Sequence, residues 1–477
     1  MMLKDRSPES KYRLALASAV FLLFLFYLLA PLNIYLYNSL RGTYYAVAVP
    51  IVTAATLAWR RLRDGPEWKL LVLYWLCFIL TRLINRNLAL VEDQYLWFDL
   101  ALILPMFALG LALGSEGRRR FLNLFTAVTC GVLFLLGLLA LLAFVLRLQI
   151  INPITGGFLA SISDSGHKRL IIADTNPGSY SFWFLGGVLL MVYQFFACRH
   201  KLWRIPIVLC ALLFLAVAAV SFARSVWTAL AVTIALLAVL LCARVLKLRK
   251  PALRFVVLAV LFLLTALVVE RGIHFAAEGM TRLSASLSTA QPSAVSQEIW
   301  VPHTDAAVPE DGEWRTVVYP ALSDSLLYRK LNKLSTYRLE IYACALRTIQ
   351  VDPLILLRGC LAKDSMSVTN VILASRGEPI PHYHNFLLQV LILTGLPGLV
   401  LVLAFWVLLL RKGFRLFFSR DKRIPLAART LLLIPLASLI YGMFEACFFT
   451  DTDVRTLFFF LMSGMLMGRY YELYPGQ

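Results

Sequence analysis

The chain has 477 residues, 60% of them hydrophobic and only 15% charged, with a mean hydropathy of +0.76. That is more apolar side chain than a soluble core takes up, so a soluble domain is excluded and a polytopic membrane protein is expected. The net charge of +19 would suit a nucleic-acid binder, but the basic residues gather in alternate connections between apolar windows, which argues for a bilayer and against nucleic acid.

Windows long enough to cross a bilayer as helices, about 17–25 residues each, recur along the chain. They fall near 13–38, 43–59, 69–86, 95–114, 121–147, 180–198, 205–222, 225–243, 255–270, 385–410, 430–450 and 454–469. The expected fold is therefore an all-α polytopic membrane protein of about twelve transmembrane helices. Residues 1–270 would carry nine of them with an outer connection at 148–180. Residues 271–384 would form a large extracytoplasmic loop subdomain with short helices, and 385–477 the last three spans.

Lys4, Arg6, Lys11 and Arg13 precede the first window. Arg60, Arg61 and Arg63, then Arg118 to Arg120, Arg199 to Arg204, Arg244 to Arg254 and Arg411 to Arg429 mark the alternate connections. An excess of Lys and Arg marks the cytoplasmic side, so both termini are expected in the cytoplasm and the long connections outside a cytoplasmic (inner) membrane. The first window has no small-residue cleavage site after it and reads as an uncleaved anchor.

Within the large loop, MTRLSASLSTAQPSAVSQE at 280–298 has the composition of a linker. In TYRLEIYACALRTIQ at 336–350, Leu339, Tyr342, Leu346 and Ile349 recur at helical spacing, and Asp352-Pro353 ends the helix. Packing on the bundle is the plain reading of that helix. Most cysteines lie in or beside spans as small apolar fillers; Cys344 and Cys360 fall outside, and no CxxC spacing for a metal occurs. The chain has no phosphate-cradling glycine loop, serine elbow or tandem aspartate pair, so no nucleotide or metal cofactor is expected.

Cationic side chains at the outer ends of spans remain. Arg224, in SFARSVWTAL at 221–230, separates two apolar runs with too few residues for an ordinary loop. An arginine at bilayer depth costs about 2.5–3.5 kcal/mol, so its guanidinium either snorkels to headgroups or faces a polar cavity, where its fork suits a phosphate. Further on, HYHNFLLQVLILTGLPGLV at 382–400 sets His382, His384 and Asn385 against an apolar run broken by Gly395, Pro397 and Gly398. Pro397 cannot donate to the carbonyl of Leu393, so a kink is expected, and the glycines fit either that bend or close helix packing.

The pattern His384-Asn385, nine residues, then Gly395 and Gly398 resembles the signature of the O-antigen ligase and polymerase family, bacterial membrane enzymes that move lipid-diphosphate-linked glycans. Arg224 ahead of Trp227, and Arg338 at the head of a helix ending at Asp352-Pro353-Leu354, agree with that resemblance. KRLIIADTNPGSYSFWFLGG at 168–187, with Arg169, is a weaker echo. The resemblance implies transfer of a polyprenyl-diphosphate-linked glycan to a sugar hydroxyl outside the membrane, by ligation or polymerisation.

In that chemistry His384 is the candidate general base, with Arg224 and Arg338 contacting the two phosphates. Asn385, which holds the ring or caps the helix, joins Arg169 and His382 as substrate-binding candidates. A metal at His382 and His384 would need further ligands that the sequence does not offer. A transporter or flippase of the same lipid-linked glycans is the competing function, but it would need polar groups through the depth of the bundle. Glu445 is one exception near the outer end, with Arg82, Arg86 and Arg455 as possible partners.

Overall fold

A computed structural model describes residues 65–85, 94–114, 119–151, 158–163, 169–172, 177–245, 251–287, 338–359, 383–422, 424–445 and 454–475. The windows expected at 13–38 and 43–59 lie outside these residues, as does much of the 271–384 loop. Apolar windows become helices because a helix satisfies every backbone amide within the segment. In chain order they are α1 (Glu67–Ile84), α2 (Gln94–Gly114), α3 (Arg119–Leu146), α4 (Pro177–Ala197), α5 (Arg204–Val220), α6 (Arg224–Val245) and α7 (Pro251–Leu287). There follow α8 (Arg338–Val351), α9 (Ile355–Arg358), α10 (Phe386–Phe417), α11 (Leu426–Thr430), α12 (Leu433–Gly442) and α13 (Val454–Leu473). Among the described residues, six helices are long and apolar enough to cross a membrane.

Three expectations change in detail. The connection at 148–180 carries an antiparallel sheet, β1 (Ile150–Ile151), β2 (Phe158–Ser163) and β3 (Arg169–Ile172), in the order β1-β2-β3, so the fold is not purely helical. Leu170 and Ile172 alternate inward along β3, and Leu170 O accepts from Tyr180, which pins the sheet to the start of α4. The helix expected at 255–270 continues to Leu287, about 55 Å at 1.5 Å per residue. Its polar continuation contains no proline, so the helix outlasts the hydropathy. The helix expected at 430–450 starts earlier, at Leu426, and reaches Gly442: α11 and α12 are joined through Leu431 and Leu432 in helical conformation, with one hydrogen bond missing where Pro435 has no amide to offer the Leu431 carbonyl.

Side chains identify the two ends of the bundle. At one end Lys412 of α10 donates to Glu67 Oε1 (2.6 Å) and contacts the Tyr471 hydroxyl, which itself donates to Glu67 Oε2 (2.6 Å). Glu67 is buried, so this charge is fully partnered and clasps α1, α10 and α13 together. At the opposite end Phe182, near the start of α4, meets Tyr441, near the end of α12 (ring centroids 4.9 Å). Ser284 of α7 donates to the Phe144 carbonyl at the end of α3 (2.8 Å), and Trp227 of α6 meets His274 of α7 (5.8 Å). The sheet, the start of α6 and the end of α12 therefore share one end.

Two close approaches shape the bundle. Gly110 and Gly114 of α2 face Gly464 and Gly468 of α13, and a Cβ on Gly110 or Gly464 would fall on the Leu461 or Phe107 carbonyl oxygen. Backbones approach this closely only where side chains are missing. In α10 the expected kink falls at Gly395, whose φ of +69° and ψ of −172° lie outside the helical region. The kink opens no cleft at that point. A Cβ there would stand 2.9 Å from Leu356 O and 3.0 Å from Leu357 O, because the backbone of α9 fills the bend. At Gly395 the bend and a close approach to α9 coincide, whereas a Cβ on Gly398 would meet the Thr394 side chain of its own helix.

Candidate active site

The site grows from the three residues ahead of α10. Asn385 has extended backbone (φ −157°, ψ 114°), and its side-chain oxygen accepts from Leu388 N at 3.1 Å, so it caps the helix as an N-cap asparagine should. Gln389 in the first turn reaches back to Tyr383 N at 3.1 Å. The Tyr383 ring is buried in a small cluster with Ile341 and Ala345 of α8, Ile355 of α9 and Ile392 of α10. With its neighbours on both sides held in this way, His384 adopts φ +49°, a left-handed conformation that costs a non-glycine residue about 1–3 kcal/mol.

Its ring meets Glu445, three residues beyond the end of α12. Glu445 Oε2 lies 3.3 Å from His384 Nδ1, and Oε1 accepts from Arg338 Nη2 at 3.0 Å. One carboxylate thus joins the histidine to the first residue of α8. An ionised carboxylate only accepts, so Nδ1 carries the ring proton in this contact and Nε2 keeps its lone pair when the ring is neutral. Arg455, in the first turn of α13, adds a further positive charge near Glu445, and its Nη1 donates to the Tyr441 hydroxyl at 2.7 Å. Arg338 and His384 keep 18% and 19% of their side-chain surface open, against 9% for Glu445, so the histidine and the arginine are reachable while the carboxylate is not.

Supporting contacts hold the loop after α12 in place. Asn385 Nδ2 donates to Met443 O at 3.1 Å. The Tyr342 hydroxyl, one turn after Arg338, lies 3.2 Å from His384 O and 3.5 Å from Met443 O, and its single proton serves one of them. Burial pushes the Tyr342 phenol above its ordinary value, with Arg338 and Asn385 partly opposing, so the group stays a neutral donor. The Arg338 guanidinium also lies 5.9 Å from the Phe444 ring centroid.

The other expected residues fall in different places. Arg224 opens α6 and is exposed; the turn before it is made by Ser221, whose hydroxyl donates to Ala218 O (2.7 Å) and accepts from Ala223 N (3.2 Å). Phe222 in that turn has φ +53°, so a second strained residue stands two positions before a proposed site arginine. α6 packs against α12, and the start of the one shares an end of the bundle with the exit of the other, where Glu445 stands. Arg169 stands on β3 at that same end, its Nε buried and without a hydrogen-bond partner among the described residues. His382 lies outside the described residues. Among the described residues no three His, Cys, Asp or Glu side chains converge as a metal site would require.

The sequence marks Glu445 as an unusual charge with Arg82, Arg86 and Arg455 as possible partners. Arg86 and the Arg82 side chain lie outside the described residues, Arg455 is one of the positive charges beside Glu445, and Arg338 and His384 are hydrogen-bonded partners that the sequence does not point to. The only signal available was an acid at the end of an apolar run.

Residues 208–403 match the family model described as O-antigen ligase. No curated protein and no solved structure matches the chain. The matched segment contains Arg224, Arg338, His384, Asn385 and the Gly395 kink, and it ends before Glu445.

Proposed function

From the match of residues 208–403 to the family model described as O-antigen ligase, in a chain of several membrane-length apolar helices, we propose a glycosyltransferase that moves a polyprenyl-diphosphate-linked glycan onto a sugar hydroxyl. The family supports the coarser role, surface polysaccharide assembly at a membrane. The observation that carries the finer reading is the carboxylate of Glu445, shared between His384 Nδ1 and Arg338. It supports a base with a defined tautomer beside a cation that can receive a leaving diphosphate.

In the proposed step the acceptor oxygen attacks the anomeric carbon of the donor sugar. His384 Nε2 takes the hydroxyl proton as that bond forms. The bond from the anomeric carbon to the phosphate oxygen breaks, and its electron pair leaves on the diphosphate. Arg338 and Arg224 stabilise that charge by forked hydrogen bonds, while Glu445 holds the imidazole tautomer and Tyr342 braces its backbone. Arg169 and Asn385 complete the proposed substrate-binding set, with Asn385 acting through the cap and the Met443 contact. The deciding experiment incubates purified protein with lipid-linked glycan and candidate acceptors, without added nucleotide or metal. A new glycosidic product is expected; movement of the donor across the bilayer with no product would support the transporter reading instead.

Lysine at either arginine keeps the charge and loses the planar fork. Arg338→Lys and Arg224→Lys are each expected to lower activity about 10–100-fold, the share of a charge-assisted hydrogen bond of about 1.5–3 kcal/mol. Membrane insertion and protein level should stay normal. Full activity in both variants would reduce these arginines to snorkelling or packing.

The alternating basic connections support an inner-membrane location with the His384 end outside and both termini in the cytoplasm. Ser286→Cys, at the exposed end of α7, is then expected to react in intact cells with a membrane-impermeant maleimide, and Arg420→Cys, beyond α10, is not, each measured against the unsubstituted chain. The reverse pattern would put the site in the cytoplasm.

A further inference from the structure

We propose that residues 353–359, with α9 at their centre, form a foot set into the bilayer, and that acyl chains of the leaflet nearer His384 cover Leu354 and Leu357. The segment packs well below the His384 end. Gly395 lies ten residues inside α10 from its Asn385 cap, about 15 Å along the helix. Gly359 fits against the Leu393 carbonyl there, with Thr394 N 2.9 Å from where a Cβ would stand. Asn85, at the end of α1, donates to Arg358 O at 3.1 Å, so the foot is level with the end of α1 as well.

The depth follows from the clasp at the other end. α1 has 18 residues, about 27 Å, and the stretch of α10 from Gly395 to Lys412 has the same length. A hydrocarbon core is about 30 Å thick. If it begins near Glu67 and Lys412, it reaches the level of the foot.

The surface of the foot suits that depth. Leu354 and Leu357, three apart on one side of the turn, are 56% and 68% exposed, whereas Ile355 is 4% exposed and faces the bundle. They continue the exposed apolar faces of Leu80, Leu83 and Ile84 on α1 and of Leu396 and Val400 on α10. The backbone is prepared for a medium without water. Leu354 N bonds Asp352 Oδ1 (3.1 Å), and the amides of residues 355–359 bond the carbonyls of residues 352–355 at 2.8–3.1 Å. Non-helical backbone is tolerated at membrane depth where it is buried in protein, and the Leu356 and Leu357 carbonyls are packed against Gly395 of α10. Arg358 ends the foot paired with Asp352 at 2.7 Å, on the side where the chain leaves α8. The foot therefore sets the height of α8, and of Arg338 and Tyr342 upon it, against the membrane.

This inference does not rest on the proposed reaction. Its test places p-benzoylphenylalanine at position 354 or 357 of the full chain, reconstituted in nanodiscs of phosphatidylethanolamine and phosphatidylglycerol, and reads intact mass after irradiation. Lipid adducts are expected at both positions, as at Val400 on the open face of α10, and not at Arg282 near the end of α7. Adducts at 400 without any at 354 and 357, or crosslinks from those two positions into protein, would overturn the proposal. Hydroxyl-radical footprinting of the unsubstituted chain in the same nanodiscs gives a second reading. Residues 353–359 should escape oxidation while 278–287 are oxidised, and ready oxidation of Leu354 and Leu357 would also overturn it.

Discussion

Alanine in place of His384 is expected to lower turnover by about 10²–10⁴-fold, the usual share of a general base, with donor binding nearly intact. The expectation rests on the contact of Nδ1 with Glu445, which leaves Nε2 as the accepting nitrogen. Glu445→Gln should lower turnover about tenfold or more with the histidine still present, because an amide can also present a donor to Nδ1 and so favour the wrong tautomer. His382→Ala should do much less than His384→Ala. Normal turnover with alanine at 384, or activity that dies on chelation and returns with a divalent ion, would sink the general-base assignment.

Leucine in place of Gly464 is expected to unfold or misassemble the bundle. The position faces the Phe107 carbonyl and the Gly110 Cα (2.9 Å from the added Cβ), so the contact to be relieved is backbone against backbone and no rotamer change can relieve it. Overpacking of a core typically costs about 1–3 kcal/mol, which is the expectation for Gly464→Ala. The leucine variant should exceed that range and shift the melting transition strongly downward in detergent, with loss of the monodisperse peak on size exclusion. The contrast with an exposed α7 glycine is a built-in control: Gly272→Leu meets open space and should leave the transition almost unchanged. Equal stability of the Gly464 and Gly272 variants would mean that α2 and α13 do not lie this close.

Much of the architecture was legible because hydrophobicity and local chemistry act over a few residues. The windows read at 69–86, 95–114 and 180–198 are α1 (Glu67–Ile84), α2 (Gln94–Gly114) and α4 (Pro177–Ala197) to within about three residues at either end, since the bilayer solvent demands an apolar helix wherever it is crossed. The helix within 336–350 and the bend at Gly395 were readable for the same reason, and capping was one of the two roles open to Asn385: each depends on residues within one or two turns.

Other features had weaker local signals. Strands of two to six residues between spans leave little pattern, and nothing in the sequence of 150–172 sets the sheet apart from a plain connection. The end of α7 was placed where hydropathy falls, but a polar sequence can continue a helix once it has left the apolar phase.

The site itself was decided by packing. His384 lies 61 residues from Glu445, and Arg338 lies 107 from it, and nothing along the chain says which arginine a lone carboxylate will meet. The choice follows from α10 and α12 returning to the same end, from Asn385 and Tyr342 meeting Met443, and from a strained His384 backbone that turns the ring toward the exit of α12. The sequence by itself determined which chemical groups are available and near which end of the bundle most of them stand. Only the tertiary structure decided that Glu445 joins His384 to Arg338, and that the kink at Gly395 receives α9, because both contacts exist only between segments brought together by the packing of the helices.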